Sequence, residues 1–583
     1  MSHNADSNAD SNVDGAADAA SAADVARGDG TVLRSNFTPG TSRWAVRRAQ
    51  WSAMGISLED QLKPKIAIVN TSSKLSVCFI HLDDVATRVA DAVREAGGLP
   101  FEIRTTAPSD FITTAGRNGR YLMPTRDLVV NDVEAAVEGA VLDGIVFLSS
   151  CDKTTPAHLM AAARLDLPSV VVIGGYQRGG TYAGCSVDID TVYESVGAVA
   201  AGTMGVDELG DLADAGITGP GVCAGLATAN TMHCLAEALG MTVPGSAPTR
   251  ANSERMLARA EEAGRRVVEM IHEGLTARKV LTAEAIENAV EVALALGGSV
   301  NCVRHLSAIA AEADLGLDVV ATVEARGRDA VQLAAIRPNG TDQVWDLDEI
   351  GGVQTVMRTL LPRLYSGALT VSGRTVGELA AEARAADGKV LRELNDPVKP
   401  EPGLLIVRGS LAPDGAIVKL AGVSAATSRR FEGPAKVFAG EDEAIAGLGN
   451  GEIVPGQVIV LRGMGVRGGP GTVFAANFVA ALNGAGLSGQ VAVVTDGELS
   501  GLNYGLVVGQ VMPEAADGGP LAGLLDGDRV TIDLDARTVD TDPVRQGNPV
   551  LSHEPGTESG LLGQYAELVG PIQGGAVTRR PPR

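Results

Sequence analysis

The sequence is poor in aromatic residues, cysteine and positive charge, and each shortage excludes a class of protein. Aromatic residues make up only 3% of the 583 residues, too few for the stacking platforms that bind single-stranded nucleic acid. Lysine and arginine number 48 against 71 acidic residues, and the net charge of −23 disfavours nucleic acid and anionic membranes as partners. Six scattered cysteines do not form a disulfide framework. The sequence has no apolar run of about 18 residues, so it predicts no membrane-spanning helix.

The N-terminal segment, residues 1–34, is predicted to be a disordered acidic tail. It consists mostly of Asp, Ala, Ser and Asn, a composition that fits neither a signal peptide nor a basic transit peptide. The low cysteine content also fits a reducing compartment. We therefore expect the protein in the cytoplasm.

Hydropathy patterns predict an α/β protein of two domains. In the first, residues 35–395, apolar strands alternate with helices, which predicts a parallel sheet covered on both faces. The strands are expected over 65–69, 101–105, 145–149 and 169–173, and the helices over 82–96, 132–141, 157–165, 252–271 and 283–296. The second domain, residues 396–583, is predicted to be rich in strands and β-barrel-like, because short apolar runs recur between Gly, Asp and Pro turns. These runs cover 404–407, 416–420, 457–461, 491–494, 506–508 and 529–534.

The segment Cys151-Asp152-Lys153 follows the apolar run 144–149, which is typical of a buried parallel strand. Ligands of open α/β sheets bind in the crevice outside the carboxyl ends of such strands. A thiolate is a soft metal ligand and a carboxylate is a hard one. The segment therefore predicts a site that handles two kinds of metal.

The loop Gly463-Met464-Gly465-Val466-Arg467-Gly468 has the G-x-G-x-x-G spacing of a dinucleotide site. That fingerprint belongs in the first βα unit of a sheet, with an acidic residue about 20 positions later. Here the loop lies late in the strand-rich half, and the next strand ends at Asp496, which is too far along. We favour a glycine-rich active-site loop over a nicotinamide site.

Several other residues carry chemistry in some proteins but have ordinary structural explanations. Cys223 lies in a glycine-rich loop entering a helix, where the helix dipole favours a thiolate, and Cys78 lies in a similar loop. Neither belongs to a C-x-x-C pair, so a structural zinc is disfavoured and a buried free thiol is the alternative for each. Ser500 follows a strand beside Gly501, and most serines in such places only make turn hydrogen bonds.

Taken together, segments along nearly the whole chain resemble the family of dihydroxy-acid dehydratases and sugar-acid dehydratases, which includes phosphogluconate dehydratase. The matching segments are 43–53, 78–82, 151–157, 223–232, 296–306, 411–415, 468–471, 495–501, 565–569 and 574–577. Each segment is short, but their order along the chain is highly specific. The resemblance implies an α/β domain followed by a β-barrel-like domain, an active site between them, and a homodimer or dimer of dimers.

The resemblance also implies an iron–sulfur cluster. Cys78, Cys151 and Cys223 match the three cysteines that hold the cluster in this family, and we favour a 2Fe-2S over a 4Fe-4S form. One iron then has an open position and acts as a Lewis acid for a departing hydroxyl.

A magnesium site and a catalytic base are implied in the same way. Asp110 and Asp152 match Mg²⁺ ligands, and Lys153 matches a lysine that the family carbamylates, which makes it an oxygen ligand suited to Mg²⁺. Ser500 matches the base, which acts as an alkoxide stabilised by nearby metal. The implied reaction converts a 2,3-dihydroxy acid into a 2-keto acid.

The sequence departs from the family pattern on the C-terminal side of the site. Met464 stands where the family has a glutamate that completes the Mg²⁺ shell, and a thioether is a poor Mg²⁺ ligand. Glu498 stands where the family usually has Arg, and Gln510 where a histidine is expected. Leu502, Asn503 and Tyr504 replace small or hydroxylated residues.

Three interpretations of these departures stay open. In the first, the chain is a working dehydratase in which water or Glu498 replaces the missing ligand. Its substrate is then a small molecule, either a dihydroxy acid of branched-chain amino acid biosynthesis, a sugar acid (aldonate) or a specialised compound. In the second, the same fold and cluster perform changed chemistry. In the third, the chain is a non-catalytic iron–sulfur sensor.

Overall fold

The computed structural model describes residues 33–109, 112, 119–200, 202–423, 428–469, 475–499, 505–551 and 558–578. The predicted acidic tail therefore lies almost entirely outside the described residues. Within the described ranges, every helix is too short or too polar to cross a membrane.

The first sheet is parallel and has the strand order β2-β1-β3-β4. Its strands are β1 Lys65–Asn70, β2 Leu99–Arg104, β3 Gly144–Ser149 and β4 Ser169–Ile173. Every residue of β1, β3 and β4 is buried, as the continuous apolar runs predict, whereas the edge strand β2 is partly exposed. A small hairpin follows, formed by β5 Gly180–Tyr182 and β6 Cys185–Val187. The predicted parallel sheet is confirmed.

Helices cover both faces of this sheet. The helices are α1 Ser42–Ala53, α2 Leu82–Glu95, α3 Leu122–Ala140, α4 Cys151–Leu165, α5 Ile189–Ala200, α6 Val206–Ala215, α7 Thr228–Ala238, α8 Glu254–Glu273, α9 Ala277–Val280, α10 Ala283–Leu296, α11 Asn301–Glu312, α12 Val319–Arg326, α13 Val344–Glu349, α14 Gly352–Leu360 and α15 Val376–Glu382. Helix α2 packs on α8, while α3, α7 and α11 pack around α4. Helices α2 and α4 follow the neighbouring strands β1 and β3 but pack with different groups of helices. The loops that lead into them therefore diverge at the edge of the sheet.

The second sheet has eight strands in the order β14-β13-β9-β10-β11-β12-β8-β7. The strands are β7 Leu405–Val407, β8 Gly415–Val418, β9 Arg430–Phe438, β10 Val458–Leu461, β11 Ala492–Thr495, β12 Leu506–Met512, β13 Arg529–Asp533 and β14 Thr538–Asp542, and helices α16 Glu441–Gly449, α17 Ala476–Gly484 and α18 Gly560–Leu568 accompany them. Arg408, just after β7, accepts a hydrogen bond from Val539 N at 2.8 Å and donates one to Arg537 O at 3.0 Å. These bonds join the two outer strands, so the sheet is nearly closed and the predicted barrel is confirmed.

Successive apolar residues of the barrel strands face two different apolar cores. In β10, Val458 and Val460 face the barrel interior, where they lie with Val494 and Ile532 in one buried cluster. Ile459, between them, belongs instead to the large cluster built by the helices and the first sheet. One side of the barrel wall is therefore continuous with the core of the first domain, as period-2 alternation requires.

Several predicted element boundaries differ from the structure. Helix α3 begins ten residues before the predicted start, because Arg126 and Asp127 are buried polar residues that interrupt the apolar pattern. Helix α4 begins at Cys151 rather than 157, and Pro156, a residue uncommon in helix interiors, lies inside it. Strands β9 and β14 were not predicted, and Pro434 explains the first omission. The predicted domain boundary at 395 falls between α15 and β7 and stays a prediction.

Candidate active site

Cys78 and Cys151 lie where the first sheet reverses its strand order. Strand β1 lies between β2 and β3 in the sheet. After β1 the chain first forms β2 on one side of it, and then crosses over to form β3 on its other side. Loops at such a switch point diverge and leave a crevice at the carboxyl ends of the strands. Cys78 follows β1, Cys151 directly follows Ser150 after β3, and both thiols are buried.

The two thiols are in contact, as the sequence predicts for residues of one site. A hydrogen bond from Cys151 lowers the pKa of the Cys78 thiol to about 7, helped by the Ser76 and Ser109 hydroxyls and opposed by burial. The Ser150 hydroxyl donates to the Cys78 carbonyl at 2.6 Å, which ties the two loops together. Cys78 therefore has substantial thiolate character near neutral pH, the form in which cysteine binds metal.

Cys151 has a left-handed backbone conformation, with φ of 66°. This region is unfavourable by about 1–2 kcal/mol for a residue with a side chain. Residue 151 is the first of α4 and follows an extended Ser150, so the turn from strand to helix is made at the cysteine itself. Strain of this kind persists where the surrounding structure fixes it, commonly at functional sites.

The Cys223 loop is held beside the Cys78 loop. Gly221 N donates to Val77 O at 3.4 Å, and a Cβ atom at Gly221, whose φ is 115°, would lie 2.7 Å from Gln177 N. Only glycine fits this position. The Asn230 side chain donates to the Cys223 carbonyl at 2.6 Å and fixes the loop from the other side. The three predicted cysteines thus lie in adjoining loops.

Lys153 is fully buried between two carboxylates from different domains. Its Nζ atom lies 2.8 Å from Asp152 Oδ2 and 3.3 Å from Glu498 Oε1. Arg304, on α11, forms an ion pair with the same Glu498 oxygen. Glu498 follows β11 and therefore belongs to the barrel. The other three charged residues of this group belong to the first domain. We refer to Asp152, Lys153, Arg304 and Glu498 as the charged cluster.

Neutral polar groups surround the charged cluster. His305 has a pKa well below its usual value because of burial and the nearby cations, among them Lys153 and Arg126, so its imidazole is neutral. Burial also raises the pKa of Tyr565, whose hydroxyl has no hydrogen-bond partner among the described residues. Asn301 donates to Leu499 O at 3.0 Å and accepts from Gln510 at 3.1 Å. These contacts fix the chain immediately before residue 500.

Asp110 and Ser500 lie outside the described residues, as do Leu502, Asn503 and Tyr504. Their described neighbours lie at the crevice: Ser109 contacts Cys78, and Leu499 is bound by Asn301. Over the described ranges, no three His, Cys, Asp or Glu side chains come together closely enough to hold a metal ion by themselves.

The glycine-rich loop 463–468 binds carboxyl groups of its own chain. The amides of Gly463 and Met464 donate to Asp496, and the amides of Arg467 and Gly468 donate to Glu514. A dinucleotide pyrophosphate would need such amides free. These bonds disfavour the nicotinamide site, and the active-site role of the loop stays a prediction.

Sequence reasoning missed Arg304 and Tyr565. In the stretch 302–306, Arg304 and His305 interrupt an otherwise apolar helical pattern. This interruption could have identified Arg304 as a candidate site residue. Tyr565 lies in a matching segment near the C-terminus, but its approach to the charged cluster depends on how the two domains dock.

These features define a two-domain α/β protein whose interdomain crevice holds touching thiols next to buried charges. Residues 63–379 match the dihydroxy-acid/6-phosphogluconate dehydratase N-terminal domain, and residues 389–576 match the C-terminal domain of the same name. The chain therefore belongs to this dehydratase family, as its sequence motifs predict.

Relatives named dihydroxy-acid dehydratase match along almost their full length. The protein of Methanothrix thermoacetophila is 39% identical over 559 residues, which cover 94% of this chain and 100% of the relative. That of Methanothermobacter thermautotrophicus is 41% identical, with 92% and 98% covered. That of Mycobacterium avium is 41% identical, with 95% and 98% covered.

Proposed function

We propose that this chain is a hydro-lyase that removes water from a 2,3-dihydroxy carboxylic acid and forms a 2-keto acid. One observation supports the proposal above all: Cys78, Cys151 and the charged cluster lie together in one buried interdomain crevice. Membership of a dehydratase family, with about 40% identity to dihydroxy-acid dehydratases, supports the same reaction.

We propose that Cys78, Cys151 and Cys223 hold an iron–sulfur cluster of the 2Fe-2S type. The fit is supported by the lowered pKa of Cys78, its contact with Cys151 and the adjoining Cys223 loop. When bound, the cluster supplies a Lewis acid for the departing hydroxyl. Three cysteines leave one coordination position without a protein ligand, which suits that task.

We propose that Asp110, Asp152 and carbamylated Lys153 hold Mg²⁺. Asp152 is 3% exposed and Lys153 is completely buried, so their side chains are directed into the protein rather than into solvent. Carbamylation replaces an ammonium by a carboxylate-like group with hard oxygen donors, which Mg²⁺ prefers. Incubation with ¹³C-bicarbonate tests this step, because a carbamate carbon resonance is expected for the unsubstituted chain and not for Lys153→Met.

In the proposed reaction, Ser500 removes the C2 proton of the substrate. The hydrogen bond from Asn301 to Leu499 O positions the residue that precedes Ser500. The C3–O bond then breaks, the C2–C3 double bond of an enol forms, and the departing hydroxide leaves as water with a proton equivalent to the one taken from C2. The enol tautomerises to the 2-keto acid. His305 is buried and neutral, and it is therefore unsuited to hold the abstracted proton as a cation.

A sugar acid is the second candidate substrate. Tyr565 OH and His305 Nε2 are buried polar atoms without hydrogen-bond partners among the described residues. Unsatisfied buried polar groups are unfavourable by about 1–3 kcal/mol each, and a hydroxylated substrate would satisfy them whereas a branched hydrocarbon would not. The two substrate classes are distinguished by turnover.

The test begins with anaerobic purification and reconstitution with iron and sulfide. A 2-keto acid assay then compares 2,3-dihydroxyisovalerate with several aldonates, each with and without Mg²⁺. Turnover of either class supports the hydro-lyase and identifies its substrate. A protein that carries the cluster but turns over no member of the panel would contradict the proposal and favour changed chemistry or a sensor.

We further propose that the enzyme works in the cytoplasm as a homodimer or dimer of dimers. The acidic charge and the small-molecule substrate fit this assignment. Light scattering coupled to size-exclusion chromatography measures the oligomeric state.

A further inference from the structure

Glu498 is a completely buried carboxylate whose two cationic partners both approach Oε1, whereas Oε2 has no hydrogen-bond partner among the described residues. Its contacts are the ion pairs with Lys153 and Arg304. A buried carboxylate normally receives several hydrogen bonds, because the loss of its hydration is costly. Oε2 of Glu498 is therefore a buried acceptor that the described contacts leave unsatisfied.

The charged cluster is electrically neutral only while Lys153 is a cation. Two carboxylates, Asp152 and Glu498, then face two cations, Lys153 and Arg304. Carbamylation turns Lys153 into an anion, so three anions face Arg304 alone. A buried group with such an excess of negative charge is strongly unfavourable, and a divalent cation offsets that excess.

Both carboxylates converge on the same nitrogen of Lys153, so an ion bound by the carbamate would lie between them. Met464 does not contribute here, since its thioether is a poor ligand for Mg²⁺ and its amide donates to Asp496 at 3.0 Å. We propose that Glu498 is a Mg²⁺ ligand in this chain and supplies the carboxylate that position 464 lacks. This inference rests on the proposed function.

Arg304 acts as a positioning residue for Glu498. Arg304 is 2% exposed, and its guanidinium forms an ion pair with Oε1 of Glu498. An arginine held in this way fixes the position of the carboxylate and offsets part of the negative charge around it.

The first experiment measures Mn²⁺ binding by electron paramagnetic resonance on the reconstituted holoenzyme, with Mn²⁺ as a paramagnetic probe of oxygen ligands. Glu498→Gln is expected to weaken Mn²⁺ binding roughly 10- to 100-fold and to leave the iron–sulfur absorbance unchanged. Glu441→Gln is the matched control, because Glu441 is a buried carboxylate of the same domain that only accepts hydrogen bonds from Phe478 N and Asn477. Unchanged Mn²⁺ affinity in Glu498→Gln would overturn the inference.

A second pair of variants separates direct binding from a general effect of charge. Glu498→Cys offers a soft thiolate and Glu498→Ser a neutral hydroxyl of similar size, and only a sulfur bound directly to Cd²⁺ gives a thiolate-to-metal absorption band. If residue 498 binds the ion, the cysteine variant alone gains tight Cd²⁺ binding with a new thiolate-to-metal ultraviolet band. Equal Cd²⁺ binding by both variants would overturn direct ligation.

A rescue experiment completes the test. Met464→Glu in the Glu498→Gln background is expected to recover most of the lost Mn²⁺ affinity, since the carboxylate returns from the neighbouring strand end. Failure of the inference is distinguishable from failure of the proposed function. An unsubstituted enzyme that binds Mn²⁺ and turns over, with Glu498→Gln unaffected, contradicts the inference alone, whereas an unsubstituted chain that acquires no cluster contradicts the proposed function.

Discussion

The glycine-rich loop after β10 leaves no room for a side chain at Gly465. A Cβ atom built there would lie 1.9 Å from Glu514 Oε2 and 2.5 Å from Cδ of the same residue. Glu514 is not free to move aside, because its buried carboxyl group accepts hydrogen bonds from Arg467 N and Gly468 N, each at 3.1 Å. We predict that Gly465→Ala displaces this carboxyl group and opens the loop.

The size of the effect follows from the partners that are lost. A buried donor or acceptor left without a partner costs about 1–3 kcal/mol, so the carboxyl group and two amides together destabilise the fold by at least about 3 kcal/mol. For a region of the size of residues 389–576, this lowers Tm by about 6–12 °C, at roughly 2–4 °C per kcal/mol.

Thermal unfolding followed by circular dichroism under anaerobic conditions measures this change. Gly449→Ala is the control, because a Cβ atom at Gly449, at the end of α16, would have nothing within 4 Å. Turnover of Gly465→Ala should fall as well, because the displaced loop also carries Met464 and adjoins the charged cluster. If the Tm of Gly465→Ala is within about 1 °C of that of the unsubstituted protein, the loop accommodates a side chain at position 465 and the reasoning is refuted.

Three further predictions concern the cluster, the base and the barrel. Cys151→Ser removes the visible iron–sulfur absorbance of the reconstituted protein, whereas Cys185→Ser, at an exposed thiol, leaves it intact; retained absorbance in the first variant would exclude Cys151 as a ligand. Ser500→Ala abolishes 2-keto acid formation without changing that absorbance, and persistent turnover would assign the base elsewhere. Val460→Ala, inside the barrel, lowers the free energy of unfolding in urea by about 1–3 kcal/mol, while Val454→Ala, 47% exposed, changes it by less than about 0.5 kcal/mol. Equal effects of the two valine variants would contradict the barrel core.

The sequence predicts the elements of this fold where one local pattern dominates. Strands β1, β3 and β4 are buried on both faces, so their continuous apolar runs are distinctive. Strand β9 escaped prediction because it contains Gly433 and Pro434, which are uncommon inside strands, although Pro434 pairs with Arg529 of β13 in the sheet. In β9, pairing with the neighbouring strands outweighs the low strand preference of its glycine and proline.

The site was predictable where its residues adjoin strand ends. Cys151, Asp152 and Lys153 follow a buried strand, and the parallel sheet alone brings them near the loop of Cys78. The pairing of Arg304 with Glu498 joins residues 194 positions apart and from two domains, and no local pattern specifies it. Glu498 was visible in the sequence as a departure, but only the structure shows which cations it faces.

The division of the site between domains makes its assembly depend on their docking. The first domain supplies the thiols, Asp152, Lys153 and Arg304, while the barrel supplies Glu498 and the segment that leads to Ser500. The contacts that join these parts include Lys153 Nζ to Glu498 Oε1 at 3.3 Å and Asn301 to Leu499 O at 3.0 Å, beside the ion pair of Arg304 with Glu498. Because Lys153 and Arg304 of the first domain both pair with Glu498 of the barrel, separation of the domains removes these two ion pairs. Formation of the charged cluster therefore favours the docked arrangement, and a perturbation that loosens the domain interface should impair the metal site before it unfolds either domain.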